Sequence, residues 1–258
     1  MCARYTLTLE QARLVIAGLV HIFAFAPRYN IGPAQRVPVI LDTAEGVKAM
    51  EMRWGIPSAW SKTLHINAQA ENIHQTTTFK PMLGQRCLVP MDGFYEWKPD
   101  KSPVRFVRRR RELFCVAGLW ADDLHQKENL LSASTGDLSR AGNDERNLPT
   151  AKAHEGRASG RERVIGIKGE VSKQIARSFV LLTTAANPSV APIHDRMPFI
   201  VRDDQFDRWL NDPQQLTLNS QLLSEAPLDW YPVSREVNNI RNEHPDLIRP
   251  APMERELF

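Results

Sequence analysis

The chain has 258 residues, 42% of them apolar and 24% charged, with a formal net charge of +3. These are the proportions of an ordinary globular protein with room for a sizeable core. They exclude a disordered or collagen-like chain and allow, without requiring, an anionic partner. No apolar run approaches the roughly 20 residues of a membrane span, and the three cysteines, Cys2, Cys87 and Cys115, form no CxxC pair, which argues against a disulfide framework or a zinc site and fits a reducing cytoplasm.

The chain opens "MCARYTL". An initiator methionine is normally trimmed before a small residue, and trimming here leaves the α-amine and thiol of Cys2 on one carbon skeleton, a 1,2-aminothiol that reacts with aldehydes as no internal cysteine can. Arg4 stands close by in sequence, and a nearby cation lowers both amine and thiol pKa values. Residues 8–23, "TLEQARLVIAGLVHIF", are expected to form a helix. Thr8 and Gln11 suit a capping box, and Ala12, Val15, Ile16, Leu19 and Phe23 share one face at helical spacing.

Short apolar runs at 37–41, 48–54, 86–89, 94–98, 104–107 and 113–119 read as strands punctuated by Pro and Gly. "RRRRE" (108–112) joins the last two as a solvated hairpin turn, with phosphate contact as the minority reading. "MRWGIPSAWSK" holds Trp54, a core candidate, and Trp60, a candidate stacking platform. In "LHINAQAENIH", His65 and His74 lack metal spacing, whereas Asn67 offers an amide and Glu71 a charge. In "LVPMDGFYEWK", strand alternation puts Phe94, Glu96 and Lys98 on one face and Tyr95 and Trp97 on the other. Glu96 is then a carboxylate among aromatics, and burial would raise its pKa toward neutrality.

Residues 126–176 are rich in Ser, Gly, Asn and interleaved charges, and read as an insertion in a single domain spanning 1–258. Strand character resumes at 179–185. His194 follows in a proline-flanked loop, "PIHDRMPFI", then a short helix at 204–210 and a late strand at 230–233. Many short strands and few helices, in no βαβ rhythm, imply an α+β fold around a mixed, curled, barrel-like sheet with flanking helices.

Taken in order, "MCARY", "RYNIGPAQRVPVI", "MRWGIPSAW", "NAQAEN", "CLVPMDGFYEWK", "FCVAGLW", "LLTTAAN", "IHDRMPFI" and "YPVSREVNNIRN" closely resemble the SOS-response-associated peptidase (SRAP) family, over almost the whole chain except 126–176. The resemblance implies covalent shielding of abasic sites in single-stranded DNA. The amine of Cys2 forms a Schiff base with the ring-opened sugar, and its thiol closes a thiazolidine. Family members are also thought to process their own terminus. By the same resemblance Glu96 moves the amine proton and helps reverse the crosslink, His194 shuttles protons to the sugar oxygen, and Asn67 holds the amine. Arg4, Pro33, Trp60, Thr183 and Arg196 grip the strand or wedge its bases. No cofactor or metal is implied, and the expected partner is an abasic single strand bound by a monomer, with no membrane. The chain departs from the family in Ala3, where a glycine is usual, and in Gln69, where an arginine commonly binds phosphate. Two other readings stand beside this one. An N-terminal-nucleophile hydrolase would also use a terminal amine as base, and a catalytically weakened single-strand binder would fit Ala3 and Gln69.

Overall fold

The computed structural model describes residues 2–58, 63–122, 177–212 and 222–251. The chain forms β1 (Arg4–Leu7), β2 (Gln11–Ile16), β3 (Leu19–Ala24), β4 (Arg28–Ile31), β5 (Arg36–Thr43), β6 (Gly46–Trp54), β7 (Ile56–Pro57), β8 (Leu64–His65), β9 (Asn67–Gln69), β10 (Arg86–Met91), β11 (Gly93–Trp97), β12 (Pro103–Arg108), β13 (Phe114–Asp122), β14 (Arg177–Ala185), β15 (Arg196–Pro198), β16 (Ile200–Val201) and β17 (Leu228–Pro232). One short α-helix, Phe206–Asn211, and several 3₁₀ turns complete the described residues. The runs read as strands at 37–41, 48–54, 86–89, 94–98, 104–107, 113–119, 179–185 and 230–233 all lie on or overlap these strands. No helix among the described residues is long and apolar enough to cross a membrane.

Two sheets carry the architecture. The first is antiparallel, in the order β17-β12-β11-β1-β4. The second is mixed and curls on itself. β5, β6, β14, β13 and β10 pair in turn, β10 pairs again with β5, and the contacts of β14 with β6 and β9 are parallel. This is the curled α+β arrangement expected, although α-helix contributes less to it than expected. The inner face of the first sheet closes over the second. Tyr5 of β1 meets Trp54 of β6 edge-on with ring centroids 5.3 Å apart, and Phe94 stacks on Phe106 at 5.0 Å, all four side chains fully buried. Trp54 is thus a core residue, and its indole N–H donates to the Ile66 carbonyl.

The chain crosses between sheets at Asp92, between β10 and β11. The Asp92 carboxylate accepts hydrogen bonds from the Thr6 hydroxyl and from the amide and hydroxyl of Thr8, and pairs with Arg105 at 3.1 Å. Both charged side chains are only 4% exposed. A buried pair survives only when its remaining donors and acceptors are also satisfied, and here Arg105 also donates to Thr6 and to the Tyr231 hydroxyl. Its guanidinium passes over Gly93, where a Cβ would lie 2.7 Å from Arg105 Nε. Glycine in "DGFYEW" is the residue that lets this clamp hold β1 on β11.

Residues 8–23 are not a helix. They form the β2–β3 hairpin, in register from Gln11↔Ala24 to Ile16↔Leu19. Ala12, Leu14 and Ile16 are buried at period two, whereas Val15 and Leu19, members of the helical stripe, are exposed. Ala17 (φ 52°) and Gly18 (φ 75°) make the two-residue turn, and positive φ at both central residues matches the right-handed twist of a hairpin. Thr8 binds Asp92 rather than capping a helix. The "RRRRE" turn is likewise not a hairpin, because β12 and β13 belong to different sheets. Arg109 to Glu112 are exposed, but Arg108 is nearly buried, forked onto Asp203 at 2.9 Å.

Candidate active site

Cys2 is fully buried immediately before β1. Pairing Arg4↔Tyr95 and Tyr5↔Phe94 brings the start of β1 beside the end of β11, where Glu96 lies. Asn67 opens β9, which pairs with β14 of the second sheet, and His194 sits in the loop between β14 and β15. The four expected catalytic residues therefore converge on the seam between the sheets, two from each side. Asn67 bridges it directly, donating from Nδ2 to the Cys2 carbonyl at 2.7 Å. Its Oδ1 is buried and accepts no hydrogen bond among the described residues.

Glu96 is 2% exposed and faces inward with Phe94, as alternation along the strand requires. Burial, with the charge of Asp195 adding to it, pushes its carboxyl up to about 7. His194 Nε2 stands 4.0 Å from Glu96 Oε2. Its Nδ1 lies 2.9 Å from both the backbone N–H of Arg196 and the Asp195 carboxylate, which together orient the ring with Nε2 toward Glu96. Burial lowers the His194 pKa, which favours the neutral ring.

Cys2 departs from expectation. Burial, then the nearby Glu96 carboxylate, raise its thiol well above the usual thiol range. The Arg4 guanidinium does not offset this, because it turns to Asn30 Oδ1 at 2.9 Å and the Val237 carbonyl at 2.8 Å; Arg4 contributes only through its backbone. Asn30 in turn donates to the carbonyls of Val237, Asn239 and Asn242. The "VNNIRN" segment is thereby fastened to β1 and β4, and Arg4 anchors the C-terminal part of the chain.

The other expected contact residues are dispersed around this seam. Thr183 is buried on β14, and Arg196 is forked onto Glu71 (2.9 Å at each oxygen) while donating to the Thr183 carbonyl. Glu71 is thus the partner that holds the His194 loop, a role its bare charge in the sequence did not reveal. Pro33 is half-buried in a turn followed by Ala34 at φ 68°. Gln69 is exposed, accepting from Asn72 at 3.0 Å, and Ala3 is half-buried. Trp60 and residues 126–176 lie outside the described residues.

A model of the SOS response associated peptidase (SRAP) family matches residues 1–140 and 158–240. The chain belongs to this family. Within the SRAP family it is similar to abasic site processing protein YoqW of Bacillus subtilis (strain 168), 27% identical over 266 residues that cover 96% of this chain and 99% of that one. Abasic site processing protein YedK of Escherichia coli (strain K12) is 25% identical over 233 residues, 87% of this chain and 85% of its own. Abasic site processing protein HMCES of Rattus norvegicus is 25% identical over 88% of this chain and 66% of its own. The solved structure of a phage-related protein from Bordetella bronchiseptica matches with a TM-score of 0.58 at 23% identity, over 91% of this chain and 95% of that one, a likeness of fold alone.

Proposed function

We propose that this SRAP chain captures abasic sites in single-stranded DNA by closing a thiazolidine on Cys2. Hydrolysis of the Met1–Cys2 bond, the autoprocessing step, frees the amine. Its nitrogen adds to the C1′ aldehyde of the ring-opened sugar and water leaves, giving an imine. The Cys2 sulfur then adds to the same carbon, its proton passes to the nitrogen, and a five-membered ring results. A Glu96 carboxyl that titrates near 7 is suited to take the amine proton. His194, whose Nε2 faces Glu96, is suited to pass a proton to the sugar oxygen. Asn67 Oδ1 supplies an acceptor for the terminal amine.

The observation that carries this reading is the 2.7 Å hydrogen bond from Asn67 to the Cys2 carbonyl, which holds the main chain of Cys2 at the seam shared by Glu96 and His194. Sequence likeness to proteins named for abasic site processing supports it. The test is to incubate the purified chain with an abasic oligonucleotide and measure intact mass. The expected product survives heating, lacks Met1, and has the summed mass of protein and strand less one water. Release of a peptide or amide with no DNA adduct would replace this reading with an N-terminal-nucleophile hydrolase.

The exposed Gln69 allows a milder prediction. Gln69→Arg restores a cation where the family commonly places one, and should tighten binding to undamaged single strands by roughly fivefold, the equivalent of about 1 kcal/mol. The gain should shrink as salt rises. Unchanged affinity in a fluorescence anisotropy titration means that position 69 does not face phosphate.

A further inference from the structure

Trp230 is the one aromatic among the exposed large apolar side chains of the described residues, at 39% exposure. It lies on β17, an edge strand of the first sheet. The register runs Phe94↔Phe106↔Trp230 and Glu96↔Val104↔Pro232, so Trp230 occupies the same sheet face as Glu96. Lys98 continues that face two residues beyond Glu96, and its ammonium sits 4.9 Å from the centre of the indole. At ordinary strand spacing, Trp230 is about 12 Å from Glu96 between Cα atoms.

Trp230 is also tied to the opposite wall of the seam. The amide of Leu228, at the start of β17, donates to Ser189 Oγ at 3.1 Å. Ser189 belongs to the turn that leads into His194, whose own amide donates to the Val190 carbonyl at 3.1 Å. The exposed ring is therefore positioned relative to both halves of the site. Trp97, the other tryptophan near Glu96, points to the opposite face and donates to Asn238 at 2.8 Å, which engages it in the fold.

We propose that Trp230 and Lys98 form a stacking subsite for a base flanking the lesion, the indole taking the base and the ammonium its phosphate. This rests on the reading that a single strand enters the seam. A π-face accepts any base, so the subsite grips the strand without reading its sequence, and such stacking is worth enough to matter in affinity. The Lys98 charge adds a salt-dependent component.

The experiment is a fluorescence anisotropy titration of the full chain with an undamaged single-stranded oligonucleotide, repeated with 2-aminopurine at successive positions of the strand. Trp230→Ala should weaken binding about tenfold and abolish the 2-aminopurine quenching that the wild-type chain gives. Trp230→Phe should keep most of the affinity. Lys98→Glu should weaken binding and reduce the salt slope by about one. Equal affinity of the wild-type chain and Trp230→Ala overturns the subsite. Equal losses in Trp230→Ala and Trp230→Phe with a lowered melting temperature also overturn it, because they mark a packing role. Capture of an abasic strand by the wild-type chain is scored separately. Its absence removes the thiazolidine reading, whereas capture with unchanged Trp230→Ala affinity removes this subsite alone.

Discussion

Cys2→Ser should yield no heat-stable adduct with an abasic oligonucleotide, while borohydride still traps an imine. The two halves of this result follow from the two nucleophiles on one residue. The Cys2 thiol is fully buried and shares its surroundings with the Glu96 carboxylate, and both effects hold it protonated. A neutral thiol is a poor nucleophile. A free α-amine, with an ordinary pKa near 8, reacts first, and the imine it forms fixes the aldehyde carbon within reach of the sulfur. Ring closure is then intramolecular, and effective molarities for well-oriented reactions of this kind reach about 10⁵ M or more. A serine hydroxyl keeps the amine and loses the sulfur. Cys87 and Cys115 cannot substitute, because each is an internal residue of β10 or β13 whose thiol is not tethered to the imine nitrogen. A heat-stable Cys2→Ser adduct formed without reductant would take sulfur out of the reaction.

Glu96→Gln should slow capture by about 10²-fold or more and stabilise the fold above pH 7. The wild-type capture rate should rise with pH through about 7 as Glu96 ionises and becomes able to take a proton, and the variant should lack that rise. The stability effect has a definite sign. Below about pH 4.5 the carboxyl is protonated in both folded and unfolded chains and contributes nothing. Between that value and about 7 the unfolded chain has released the proton and the native state has not, so stability falls as pH rises. Above about 7 both are ionised and the loss is complete, on the order of 3 kcal/mol. Glutamine carries no such loss. The melting temperature of Glu96→Gln should exceed that of the wild-type chain by several degrees at pH 8 and converge with it at pH 4. Parallel melting curves across that range would show that the carboxyl is solvated.

The strands were legible because β-branched and aromatic residues between prolines and glycines have few other conformations to adopt, and alternation along "GFYEW" put Glu96 on one face with Phe94, both of them buried. The helix at 8–23 failed for a specific reason. Ala12 and Ile16 belong to both a helical stripe and a period-two stripe, and the choice fell to Ala17 and Gly18, which turn with positive φ, and to Asp92, which takes Thr8 from any capping role.

Sequence alone singled out the residues proposed to carry the chemistry, because an amine and thiol on Cys2, a carboxyl, an imidazole and an amide are properties of the side chains themselves, and their order along the chain resembles that of the SRAP family. Only the tertiary structure decided their surroundings. It drew positions 2, 67, 96 and 194 to one seam between two sheets, turned Arg4 away toward Asn30 and Val237, and pushed the Cys2 thiol up where the local sequence had implied a downward shift. It also set Trp230 on the face of Glu96 through a register spanning three strands. Burial and charge separation depend on distance in space, and neighbours in sequence do not determine either.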